Sequence, residues 1–378
     1  MSLILDEHRL YLADTARLDA FDAALRATIQ PDDVVLDLAS GTGILGLLAC
    51  QAGAGRVYAI EAGGIVELAR ELARANGFGD RIVAIHDLAS RVTLPEQVDV
   101  IVTDGAGRFG FDAGIIEILS DARARFLKPG GRIIPRTVTL SIAPVDTREP
   151  SEHVAFWSQP LRGLSLEPAT LIARNTGYPR RLQRDEFVAP PAELVTFDPG
   201  VATRSFSGRA EFVVERASTV YGIGGWFSAD LAPGVTLTNA PGAPNRINRR
   251  NVFLPLREPA PVSPGDVMRV SIFIQPAQLI VRWRVELASA DGTLRHATDA
   301  STFEGMLIPR ENVAHTRPGF QPRLTPAGRA RKTVLDLCDG VRTLSEIESE
   351  LLERHRELFA NRADAAVFVA EVVTRYSC

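Results

Sequence analysis

The sequence predicts an α/β protein in which a parallel-sheet domain is followed by an antiparallel β-domain and a small helical module. Three observations carry that prediction. Residues 34–62 read as strand, glycine loop, helix and strand. Short β-branched runs with frequent proline and glycine take over after Pro135. Apolar residues at helical spacing return from about residue 324.

The first element pair is the most specific. An apolar run, Val34–Leu38, leads into Gly41-Thr42-Gly43, and a second run, Val57–Ile60, ends on Glu61. Glycines let the backbone approach a ligand closely. An acid closing the second strand is placed to hold a ribose diol. The spacing is Asp37-x-x-Ser40-Gly41-Thr42-Gly43, followed by Ile44, Leu45 and Gly46. A dinucleotide fold would show G-x-G-x-x-G and seat a pyrophosphate on a helix N-terminus. An acid ahead of the loop suits a diphosphate poorly. It suits the ammonium or sulfonium of S-adenosylmethionine.

Residues 1–30 read as mostly helical, with apolar positions at Leu10, Leu18, Phe21 and Leu25. Further strands are expected at Ile82–Ile85, Val98–Thr103 and Gly131–Ile134, with helices such as Gly64–Ala75 and Ala113–Phe126 between them. Strand alternating with helix implies a mostly parallel sheet covered on both faces. Lys128-Pro129-Gly130-Gly131 reads as a turn. The first domain is placed at 1–136 and a β-barrel or sandwich at 137–308, with strands at Thr137–Ile142, Ala210–Glu215, Val220–Phe227, Val267–Ile274 and Ile280–Leu287. Residues 156–182 are less strand-like and are expected to project. The module at 324–378 contains three short helices, the second opening on a Thr343/Glu346 capping box.

Bulk properties narrow the partners. The chain has 378 residues and a net charge of −4, so no global field draws it to nucleic acid or an anionic membrane. Forty of its 42 basic residues are arginine, a skew that fits a GC-rich genome. Three widely spaced cysteines, Cys50, Cys338 and Cys378, make neither a disulfide framework nor a zinc site. No metal is expected. The N-terminus turns charged too early for a secretory signal, and no apolar run spans a membrane, so a cytoplasmic protein is expected.

In order along the chain, residues 5–300 resemble the protein arginine methyltransferase family. Asp37–Gly46 and Glu61 match the cofactor loop and the ribose acid. The resemblance therefore implies cofactor contacts from Asp37, Ser40, Gly41, Thr42, Gly43, Leu45 and Glu61. His8 and Arg17 keep the family's spacing in the N-terminal helix, where the arginine pairs with the cofactor's carboxylate. The family's adenine-side glutamate falls on Ser90, and Asp87 is able to substitute. Phe126–Gly131, Ile134-Pro135, Val220–Phe227 and Asn251-Val252-Phe253 match the approach to the barrel and two of its strands. The resemblance implies a Rossmann-like S-adenosylmethionine domain followed by an antiparallel β-barrel, with S-adenosylhomocysteine as product. It also implies a homodimer through an arm at 156–182, with Trp157, Leu161, Leu164 and Leu166 as its apolar contacts.

The departures bear on the acceptor. The family holds a substrate guanidinium between two glutamates on one loop. Here the first position is Asp104 and the second falls on Ala113, with Asp112 beside it. Asp104 and Asp112 are the candidate catalytic acids. The family's threonine-histidine-tryptophan loop reads Arg246-Ile247-Asn248-Arg249-Arg250. Arg246, Asn248, Arg249 and Arg250 are candidate substrate-binding residues. These arginines would repel a guanidinium and could hold a carboxylate, a peptide C-terminus or a phosphate; alternatively they form a solvated loop face.

Leu324–Cys378 is similar to the PqqD-like family of peptide-recognition elements, through Leu324-Thr325-Pro326-Ala327 and Val334–Ile347. That resemblance implies a winged-helix-like module in which a leader peptide adds as a strand. The family's leading hairpin is hard to find in 309–323. Together these readings lead to an S-adenosylmethionine-dependent methyltransferase that N- or O-methylates a ribosomally made precursor peptide. An arginine methyltransferase with a divergent clamp, and a cofactor-binding pseudoenzyme or scaffold, are the alternatives.

Overall fold

The computed structural model describes residues 4–307 and 318–377. The chain divides into two compact units, Met1–Met306 and Leu307–Cys378.

The first unit opens with α1 (Ile4–Leu12) and α2 (Thr15–Thr28). Asp14 caps α2, its carboxylate accepting from the Arg17 amide at 3.3 Å. A five-stranded parallel sheet follows: β1 (Val34–Leu38), β2 (Arg56–Glu61), β3 (Ile82–His86), β4 (Val98–Val102) and β5 (Leu127–Ile134). Its spatial order is β3-β2-β1-β4-β5. Helices α3 (Ile44–Gln51), α4 (Val66–Ala75) and α5 (Ile115–Phe126) connect the strands. β1 is almost wholly buried, which is why it reads as an unbroken apolar run. The order reverses between β1 and β4, so a crevice opens beyond their C-terminal ends, where such sheets bind ligands. Lys128-Pro129-Gly130-Gly131 is not a turn ahead of the last strand. It lies inside β5, where the register with β4 slips between Val98 and Val100.

Ten antiparallel strands complete the unit. β6 (Thr137–Val145), β7 (Tyr178–Arg180), β8 (Ala192–Phe197), β10 (Ser218–Ala232), β11 (Val235–Thr238) and β12 (Asn251–Val262) form one sheet. β9 (Phe206–Val213), β13 (Val267–Gln275), β14 (Ile280–Ala288) and β15 (Leu294–Ser301) form the other. The fully buried Trp283 on β14 donates its indole N–H to the Pro255 carbonyl on β12 and so ties the sheets together. Parallel and antiparallel sheets share one continuous core. Two short helices, α6 (Glu149–Phe156) and α7 (Thr170–Arg174), are inserted between β6 and β7. Phe156, Leu161, Leu164 and Leu171 on this insertion are exposed.

The second unit contains α8 (Pro326–Leu337), α9 (Leu344–Arg354) and α10 (Arg362–Tyr376) around Val334, Leu337, Ile347, Leu351, Val369 and Val372. Thr325, Thr343 and Asn361 cap the three helices, and Thr343 with Glu346 makes both bonds of a capping box. Among the described residues this unit has no strand. The hairpin sought in 309–323 falls largely outside the described residues. No helix among the described residues is long and apolar enough to cross a membrane.

Candidate active site

The chain after β1 builds a cradle lined by backbone N–H groups. Gly41 and Gly43 adopt φ of 54° and 73°, which side chains with a Cβ rarely allow. Glu61, at the end of β2, accepts from the Gly41 amide at 2.9 Å and the Gly63 amide at 2.7 Å. Its carboxylate is thereby fixed beside the loop, with lone pairs left for a diol. The His8 ring of α1 lies over Gly41, and a Cβ there would stand 2.7 Å from the ring. Thr42 in the turn and Leu45 in the first turn of α3 are buried.

Asp37 is fully buried. One of its oxygens accepts from the Gly46 amide at 2.9 Å, while the other, Oδ1, has no partner. Ser40 Oγ is also buried without a partner. Burial pushes the Asp37 carboxyl up to about 7, against the opposing pull of the Gly46 amide and the Arg17 charge. An unpaired buried carboxylate oxygen is costly, and a cationic amine is the group that satisfies it. Asp87 accepts from its neighbour Leu88 at 2.7 Å, and Ser90 is exposed. Both follow β3, one strand beyond Glu61.

Across the crevice, Asp104 follows β4. Its carboxylate takes three N–H donors. Arg17 Nε on α2 donates to Oδ2 at 2.5 Å. Arg249 forks onto both oxygens, Nη1 to Oδ1 at 3.2 Å and Nη2 to Oδ2 at 2.9 Å. The side chains of Arg17, Asp104 and Arg249 are only 7%, 11% and 13% exposed, so this is a nearly buried triad. Burial alone would raise the Asp104 carboxyl, but Arg249 and then Arg17 overcome it and hold it below the ordinary carboxylate range. Burial likewise opposes the charge on Arg249, and Asp104 more than restores it.

The loop between Asp104 and Ala113 is pinned. Asp112 accepts from the amides of Arg108 at 2.7 Å and Phe109 at 2.8 Å, both through Oδ1, so one of its two oxygens is engaged with its own loop. The Phe109 ring packs where Gly225 of β10 has no side chain; a Cβ there would lie 2.6 Å from it. The Arg246–Arg250 segment is equally fixed, but its side chains diverge. Arg246 donates to the Leu182 carbonyl and to Asn251 Oδ1. Burial, then the nearby Arg181, lowers the Arg246 pKa. Asn248 donates its amide to Asp14 at 2.7 Å and accepts from Arg181. Arg250 is exposed. Of the three arginines, Arg249 is the one brought to Asp104. Asn239 and Asn251, both fully buried, were not singled out as site residues by the sequence. Asn239 bridges the Arg108 and Arg250 carbonyls, and Asn251 donates to the Asn239 carbonyl. A lone asparagine in a turn-like run carries no signal that it will be buried.

Residues 18–137 match the profile of the family described as Ribosomal protein L11 methyltransferase (PrmA). Protein arginine N-methyltransferase 6 of Xenopus tropicalis is 30% identical over 251 residues, covering 62% of this chain and 73% of that protein. The chain belongs to the protein arginine N-methyltransferase family. It is an S-adenosylmethionine-dependent methyltransferase. Solved members share its fold. The Trypanosoma brucei PRMT1 enzyme-prozyme heterotetrameric complex with AdoHcy matches at a TM-score of 0.70 and 22% identity, covering 78% of this chain and 97% of that one. Arabidopsis thaliana protein arginine methyltransferase 10 matches at 0.69 and 22%, covering 79% and 98%.

The cradle fits this family's cofactor on its own chemistry. Asp37 Oδ1 and Ser40 Oγ lack partners that a polar ligand would supply, and Glu61 is preset for a diol. Among the described residues no cluster of histidine, cysteine and acidic side chains is placed to hold a metal.

Proposed function

We propose that the chain methylates a side chain of a protein or peptide, at an acceptor site bordered by Asp104. The observation that carries this reading is the position of Asp104. It follows β4, the strand next to β1, at the switch point of the sheet, whose other side carries the cradle built by Asp37, the glycine loop and Glu61. The names of the family relatives support a protein acceptor. S-adenosylmethionine supplies a methyl group on a sulfonium, which an acceptor lone pair displaces in line while sulfur keeps the bonding electrons. The protein's task is then orientation. Glu61, the glycine loop, Asp37, Ser40 and His8 would hold the donor, with Asp87 and Ser90 toward its adenine. The pinned loop carrying Asp104 would present the acceptor.

The C-terminal unit is proposed to bind the leader of a ribosomally made precursor peptide. Support comes from its separate helical core and from Leu335, Val341, Leu344 and Val367, which it leaves exposed. Such a module would raise the local concentration of a weakly bound core peptide. A homodimer through 156–182 is proposed on the exposed Phe156, Trp157, Leu161 and Leu164. The test is an intact-mass assay of the full chain with S-adenosylmethionine and the short peptides encoded beside its gene. Gain of whole methyl masses that disappears when the peptide lacks its N-terminal leader is expected. No gain on any of them would remove the peptide reading.

A second reading, arginine as acceptor, is favoured by the relatives, which are named protein arginine N-methyltransferases. It predicts methylation of arginine-rich peptides, abolished by Asp104→Ala.

A further inference from the structure

We infer that Arg249 sets the acceptor class at this site. It seats an internal guanidinium where a substrate guanidinium would have to meet Asp104, and so restricts the enzyme to neutral or anionic acceptors. The inference rests on the proposed reading of Asp104 as the acceptor-side group.

Geometry comes first. A carboxylate receives one planar guanidinium as a fork, two parallel N–H bonds on its two oxygens. Arg249 makes that fork on Asp104 and adds a bond from Nη1 to the Gly107 carbonyl at 3.3 Å. Arg17 fills a further position on Oδ2. A second forked cation has no oxygen face left to occupy.

Charge points the same way. The triad carries one negative and two positive charges in a nearly buried place. Another cation at Asp104 would add to the positive charge that the triad already holds in excess. Asp112 gives Oδ1 to the amides of Arg108 and Phe109, its Oδ2 stands 3.9 Å from Arg108 Nη1, and its charge already acts on Arg249; Ala113 has no polar group.

The seat is also built. Asp14 accepts from the Arg17 amide through one oxygen and from the Asn248 amide through the other. A single carboxylate therefore aligns the helix that carries Arg17 and the loop that carries Arg249. On either side of Asn248, the buried Ile247 donates its amide to the Thr238 carbonyl at 2.9 Å, and the Arg250 carbonyl accepts from Asn239 at 3.0 Å. An arginine held so firmly is a fixed part of the site's recognition surface.

The test asks whether emptying the seat creates a guanidinium site. The full chain and its Arg249→Ala and Arg249→Gln variants are titrated with methylguanidinium in the presence of S-adenosylhomocysteine, and binding is read as a thermal shift. The wild type is expected to show no saturable shift. At least one folded variant is expected to rise by about 2 °C at roughly ten times its Kd. That rise is expected to vanish when Asp104→Asn is added. The truncation to alanine and the neutral, bulkier glutamine differ in packing, so a folding failure of one leaves the other to decide. Saturable binding by the wild type, absence of binding in a folded variant, or binding that survives Asp104→Asn would each overturn the inference. So would methylation of arginine-rich peptides by the wild type. Because the binding readout needs no turnover, it stands apart from the mass assay of the proposed function.

Discussion

Asp37 and Asp104 are both deeply buried carboxylates, and the chain treats them in opposite ways. Asp104 is given two guanidiniums and stays ionised; Asp37 is left with one oxygen unpaired and rises to about 7. The raised value makes Asp37 a ligand-linked titrating group. Below about 7 it is increasingly neutral and loses its attraction for a cationic ligand, so cofactor affinity should fall by roughly tenfold per pH unit from pH 7 downward. Calorimetric titration of S-adenosylmethionine between pH 5.5 and 8.5 checks this, with flat affinity in Asp37→Asn as the control; flat affinity in the wild type would exclude it. For stability the sign is opposite between the two acids. The raised Asp37 pKa favours the unliganded fold below the unfolded carboxylate range, an advantage lost as pH rises through about 7. The lowered Asp104 pKa favours the fold above the unfolded carboxylate range, an advantage lost as pH falls through its depressed value. Asp104→Asn leaves two buried guanidiniums facing each other and should cost about 3–5 kcal/mol at neutral pH, measured by urea unfolding. Both acids were visible in the sequence, Asp37 by its spacing ahead of the glycine loop and Asp104 by its place just beyond an apolar strand. Arg249 was visible as one of three arginines, but not which of them would turn inward. That choice is made by Asp14, far away in the chain, and by Asn239, whose burial no local pattern announces.

Elements were legible where local pattern and tertiary role agree. β1, the glycine loop and β2 agree because buried parallel strands are continuous apolar runs. β12 was seen only at its start, since Pro255, Pro259 and Pro261 argue against a strand; in the structure Pro259 falls within a register shift against β10 between Val220 and Gly222, and Pro255 and Pro261 flank it. The same strand β10 supports the site through a missing side chain. Gly225→Ala would place a Cβ against the Phe109 ring and push on the loop of Asp104. Its expected outcome is methyl transfer reduced by roughly fivefold to 150-fold, the equivalent of on the order of 1–3 kcal/mol of misfit, with S-adenosylhomocysteine affinity unchanged. A loss of both together would mean that this loop and the cradle are one structural unit. In the C-terminal unit, Thr343→Ala removes the capping box of α9 and should cost about 1 kcal/mol, read as faster amide exchange in that helix.

At the scale of the whole chain, the change from alternating strands and helices to proline-rich β-runs was legible, because parallel and antiparallel sheets demand different sequence patterns. What sequence pattern could not supply is that both sheet types enclose a single core, since shared burial is a property of packing alone. The C-terminal unit has a separate and much smaller core. A few buried side chains on three short helices give little stability of their own. This argues for two unfolding transitions in calorimetry, the weaker one belonging to Leu307–Cys378. Ligands that bind only a native unit raise only its transition. S-adenosylhomocysteine should therefore move the upper transition alone, and a leader peptide the lower one alone. At a hundred times Kd each gain is about 2.7 kcal/mol. If a leader peptide moved the upper transition instead, it would be bound by the catalytic unit, and the division of labour between recognition and chemistry would be wrong.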